Sequence, residues 1–148
     1  MPGGTQACRG QFEALCARDY TEAPAYAVHR MMVDAYALQH PAAYCASAKS
    51  FAAHLTGLCC AFEHPGDSAP LKAVQQWLNG RVELARPEAP MGRGGMTLAD
   101  LPHEGPREDL DAAIRRWARA VWEAYAELHP LARKWTRQAL AAARGGRR

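Results

Sequence analysis

The sequence contains no run of about 18 uncharged apolar residues, which leaves no candidate for a membrane-spanning helix. Its opening, MPGGTQACRG, lacks the basic and apolar regions of a secretory signal, so the cytoplasm is the expected location. The five cysteines, Cys8, Cys16, Cys45, Cys59 and Cys60, are odd in number and include no CxxC pair. That pattern argues against a disulfide framework and a zinc ribbon, and reduced, mostly core thiols are expected. HxxxH, ExxH and HExxH, the local pairs that make a metal site legible, are all missing. Gly92-Arg93-Gly94-Gly95 lacks the lysine and hydroxyl of a phosphate loop. No segment alternates with a period of two, so strands are not expected.

What is present fits one globular unit. The 148 residues suit a single domain over 1–148, and 49% hydrophobic with 22% charged residues lies in the soluble globular range. The net charge of +3 is too small to indicate nucleic acid. Its placement is uneven: after Pro130 come Arg133, Lys134, Arg137, Arg144, Arg147 and Arg148 with no acidic residue, and 144–148 reads as a basic tail.

Apolar spacing and punctuation predict an all-α fold, a bundle of four or five helices. The first runs from Gln6 to Tyr20 and stops at the Thr21 to Pro24 turn. The second runs from Pro24 to His40, where Pro41 removes a donor and disfavours helical geometry before it. On the third, from about Ser47 to Glu63, Phe51, Leu55, Leu58 and Phe62 form one apolar stripe. Asp67 and Ser68 are candidate caps for a fourth helix closed by Asn79-Gly80. Prolines and glycines between Arg81 and Pro106 predict a long Gly/Pro-rich loop over 80–106, a candidate lid, with Thr97 and Asp100 capping one turn inside it. The last helix carries Leu110, Ile114, Trp117, Val121, Ala124 and Leu128 on one stripe, and Pro130 sets a kink or a restart.

Three of the six histidines precede proline, at His40-Pro41, His64-Pro65 and His129-Pro130. On the second helix His29, Val33, Tyr36 and His40 project within about 60° of one another beside an apolar arc, which places the imidazoles at the edge of the core. His29 and His40 stand about 16 Å apart along the axis, too far to share one ion. A metal site must therefore take one histidine from each of several helices, and His40, His54 and His129 are the candidate ligands. Tyr36, beside His40, is a candidate hydrogen-bond donor. Asp34 is a candidate carboxylate, although it projects about 120–140° from the histidine stripe and stands four residues from Arg30, as an exposed ion pair would. Cys45, in the turn after Pro41, is the thiol best placed near a histidine. The same histidines also fit a structural role as core or capping groups.

The runs VHRMMVDAYALQHP, SFAAHLTGLCCAFE, GMTLAD and WARAVWEAYAELHPLARKW together resemble a family of uncharacterised bacterial proteins, domain of unknown function 5946. The resemblance spans most of the chain and implies no activity. It places His29, Asp34, His40 and His54 at signature positions and matches His129 to a histidine-bearing stretch. The CxxCG segment that often opens such proteins is absent, and Cys8 resembles a later cysteine of that pattern. A weaker likeness, at the level of fold alone, is to the DinB-like metal-binding bundles.

Two functions follow as expectations. In the first, the protein binds a divalent zinc, iron or nickel ion through His40, His54 and His129 and acts as a metal-dependent hydrolase or transferase on a small molecule, with Asp34 and Tyr36 in support. In the second, it is a non-enzymatic module with structural histidines that binds a partner protein. In that case the imidazoles point apart or bond to backbone carbonyls. Homo-oligomerisation is compatible with either.

Overall fold

A computed structural model describes residues 6–145. They form seven α-helices: α1 (Gln6–Glu22), α2 (Tyr26–Gln39), α3 (Pro41–Tyr44), α4 (Ala48–Glu63), α5 (Ala69–Asn79), α6 (Arg107–Ala124) and α7 (His129–Gly145). No strand occurs among the described residues, and none of their helices is long and apolar enough to cross a membrane.

The expected count of four or five helices rises to seven because Pro41 and Pro130 each stand at the start of a further helix. His40 closes α2, and Pro41 opens the single-turn α3, where its missing N–H costs nothing. The expected final helix is two. Its first part ends at Tyr125, whose hydroxyl donates to the Leu38 carbonyl across the core, a short 3-10 turn covers Ala126–Leu128, and α7 restarts at His129-Pro130.

α4 is the centre of the packing. Ser47 caps it through its hydroxyl, which accepts from the Ser50 N–H at 3.0 Å, and Ser50 returns the bond. Phe51, Leu55 and Leu58 are fully buried, while Phe62, the last member of the expected stripe, lies at the core margin. α4 packs on α2, α5 and α7, and α2 also packs on α6. Leu110, Ile114, Trp117 and Val121 complete the core from α6. Asp67, rather than Ser68, caps α5, its Oδ1 accepting from the Ala69 N–H at 3.0 Å.

Residues 81–97 carry neither helix nor strand, yet they are tied to the bundle. Arg86 donates to the Cys45 carbonyl at 2.7 Å and lies over the Phe51 ring. The buried amide of Gln39 donates to the carbonyls of Arg93 and Met96 at 2.9 and 2.8 Å. Between them Gly94 has a φ of 99°, and a Cβ there would meet the Ala120 backbone at 3.3 Å, so only glycine fits this close approach. After it, Asp100 accepts from the Thr97 N–H at 2.8 Å and closes a 3-10 turn over Leu98–Asp100.

Candidate functional site

The polar centre of the bundle lies between α2 and α4. Asp34 is completely buried, and its carboxylate accepts from Arg30 Nε, one helical turn earlier, at 2.9 and 3.1 Å. Across the interface it accepts from His54 Nδ1 at 2.9 Å, and Arg30 reaches on to the Ala53 carbonyl at 3.0 Å. Because a carboxylate only accepts, the proton of a neutral His54 ring lies on Nδ1 and its Nε2 keeps the lone pair. The Arg30 guanidinium is held above its usual range, since the neighbouring Asp34 charge and hydrogen bond outweigh the opposing effect of burial.

This arrangement corrects the reading of Asp34 as half of an exposed ion pair. Arg30 is its partner as expected, but α4 packs over the pair. Gly57 makes that packing feasible, because a Cβ at residue 57 would lie 2.0 Å from Asp34 Oδ2. Asp34 projects away from the stripe of His29 and His40 and toward α4, and so meets His54 instead of them.

The three candidate metal ligands are not brought together. No three His, Cys, Asp or Glu side chains among the described residues stand as a group able to hold a metal ion. His54 is engaged with Asp34. His129 Nε2 donates to the Trp122 carbonyl at 2.7 Å, and its ring stacks on the Trp122 indole at 3.7 Å, which clamps the start of α7 to the end of α6. His40 lies against the Tyr36 ring at 4.5 Å, with its Nε2 4.0 Å from Cys8 Sγ. His40 and His129 take partners near their own helix ends and His54 takes one at mid-helix across the α2/α4 interface, so the three histidines face different neighbours.

Tyr36 is buried and stacked flat on Phe12 at 3.9 Å, with Tyr44 beside it. Burial and the Tyr44 hydroxyl push its phenol above the ordinary tyrosine range, which keeps it a hydrogen-bond donor at neutral pH. None of the five cysteines forms a disulfide among the described residues. Burial pushes Cys45 and Cys60 up to about 12 and Cys59 up to about 11. Cys45, the thiol expected nearest a histidine, donates to the Ala37 carbonyl at 3.5 Å instead and is held in its unreactive protonated form.

A second carboxylate and imidazole pair escaped the sequence reading. Asp19, buried at the end of α1, accepts from His29 Nδ1 at 2.7 Å and is also held by Arg107 at the start of α6. Asp19 is ten residues from His29, and its approach depends on a reversal at Ala23, whose φ of 48° turns the chain between α1 and α2. The Thr21 to Pro24 turn was the available signal. For Asp34 the signal was Gly57, an isolated glycine within a strongly apolar helix and thus a mark of close approach.

No curated protein and no solved structure matches the chain, and the DinB-like analogy gains no support from them. Residues 1–126 match the family of unknown function DUF5946, the stretch that holds both buried aspartates, all the α2 and α4 histidines and the whole of α6. The chain therefore belongs to the DUF5946 family.

Proposed function

We propose that this protein is a non-enzymatic helical binding module in which the histidines hold helices together. One observation carries the reading: His54 spends its Nδ1 on a fully buried carboxylate that also secures Arg30, so the group acts inside the α2/α4 interface. The bond from His129 to the Trp122 carbonyl supports the same role. The test compares untagged parent protein with His54→Ala, measuring metal by inductively coupled plasma mass spectrometry and stability by thermal melting. The reading expects no stoichiometric metal in either protein and a clear loss of stability in the variant. One equivalent of a transition metal in the parent that disappears with His54 would overturn it.

A second reading is favoured by one contact, the 4.0 Å approach of Cys8 Sγ to His40 Nε2. A thiolate and an imidazole are ligand types that zinc, iron or nickel takes, and a catalytic ion there needs one further protein ligand beside its open position for water. In that reading the protein is a metal-dependent hydrolase or transferase, Tyr36 stands beside the ion as a proton-bearing neighbour, and Asp34, His54 and His129 serve the fold. Metal that is lost in His40→Ala and retained in His54→Ala would establish it.

A further inference from the structure

A groove of about 430 Å³ opens between α2, α4, α5 and α6, and its floor is Gly57, directly above the buried Asp34. Its walls are mostly hydrocarbon, from Met31, Ala61 and Leu71, and Tyr26 stands at the rim. The volume suits a small organic molecule and is of the usual ligand-pocket size.

The charge around this groove is one-sided. Arg30 and Arg115 line it, and Arg116 and Arg119 continue the same wall into an adjoining hollow that shares Met31, Ala61 and Pro65. Asp67 is the one carboxylate in either lining, and it is turned to the Ala69 N–H. Arg30 is neutralised by Asp34. Arg115 is exposed and has no ion pair among the described residues. Asp111, one turn before it, is held by Arg107 Nε at 2.7 Å, and Glu63, which follows Phe62 of the adjoining hollow, is held by Arg133 at 2.7 Å. These two carboxylates, near the groove in sequence, are thus committed elsewhere, and Arg115 is left over an apolar cleft.

From this juxtaposition we infer that the groove binds a small organic anion, with its phosphate or carboxylate head on Arg115 and its hydrocarbon body against Met31, Ala61 and Leu71. The apolar walls exclude water from one side of the ion pair, which strengthens it relative to an exposed contact. A free inorganic anion would leave the walls uncovered, and a neutral hydrocarbon would leave Arg115 uncompensated. The inference rests on the binding-module reading and names the ligand class for it.

The test uses the full chain and isothermal titration with 4-nitrophenyl phosphate, a compact aromatic anion whose cleavage releases a coloured product. Its neutral counterpart is 4-nitrobenzyl alcohol. Saturable binding of the phosphate is expected, with affinity lower by about tenfold for the alcohol and for Arg115→Glu. Arg137→Glu, the same charge change on an exposed α7 residue outside the groove, should bind as the parent does. No binding, equal binding of the alcohol, or equal loss in Arg115→Glu and Arg137→Glu would each overturn the inference. So would tighter binding of a duplex oligonucleotide that depends on Arg116 and Arg119. Binding accompanied by release of 4-nitrophenolate would uphold the groove and overturn the non-enzymatic reading, whereas absent binding would leave the role of His54 intact.

Discussion

The indole N–H of Trp117 donates to the Oε1 of Gln39 at 3.0 Å, and both side chains are buried. The other end of the same amide donates to the Arg93 and Met96 carbonyls, so one glutamine joins the α2 and α6 core to the irregular segment that follows α5. Gln39→Leu keeps the approximate volume and removes all three bonds. Leaving an indole donor and two carbonyls unsatisfied is expected to cost about 2–4 kcal/mol. Chemical denaturation should register that loss. Limited proteolysis should show new cleavage within 81–97, and unchanged cleavage there would show that the segment is secured by other contacts.

The apolar half of the fold was legible because it repeats. Phe51, Leu55 and Leu58 recur at helical spacing, and so do Leu110, Ile114, Trp117 and Val121, and all are in the core. The polar centre was not, because a pair such as Asp34 and His54 depends on how two helices are rotated against each other, which no single helix encodes. The same holds for Asp19 with His29 and Arg107, drawn from three helices. His40 and His64, each before a proline, close α2 and α4 as read, whereas His129 opens α7, and a place before proline says nothing about whether three such histidines converge.

Glu63 receives two bonds from Arg133 Nε and one from its Nη2, and these bonds hold its carboxyl below the usual 4.5. A carboxyl lowered on folding adds stability that is complete above its unfolded value and fades as pH falls through the folded value. The melting temperature of the parent should therefore exceed that of Glu63→Gln at neutral pH, with the gap closing below about pH 4. A gap that stays constant down to strongly acidic pH would show that the stabilisation from Glu63 does not come from its ionised carboxylate.

Ala23 is a non-glycine residue in left-handed backbone, at the stop between α1 and Pro24, with its N–H on the Asp19 carbonyl at 2.8 Å. Glycine carries no Cβ penalty there, and Ala23→Gly should stabilise the protein by about 0.5–1 kcal/mol, an increase of a few degrees in Tm. A fall in Tm would mean that the flexibility gained by the unfolded chain outweighs the strain relieved.

Cys45, Cys59 and Cys60 are buried, and their thiols are pushed far above neutral pH. At pH 7 an aromatic disulfide reagent should modify only Cys8 and Cys16 in the native protein, slowly because burial raises both, and all five once the chain is unfolded. Rapid native modification of Cys45, located by peptide mass spectrometry, would contradict its placement beneath the turn after Pro41.

Gly57 and Asp34 occupy complementary volumes, so residue 57 cannot be enlarged while the carboxylate at 34 stays in place. A carboxylate at 34 requires a bare α-carbon at 57, and any larger residue at 57 requires that the carboxylate retreat and release Arg30 and His54. Mutational paths through this pair are therefore ordered: shortening residue 34 must come before enlarging residue 57, because the opposite order passes through a clash at 2.0 Å. Across a set of related sequences, the two positions should change together or remain fixed together.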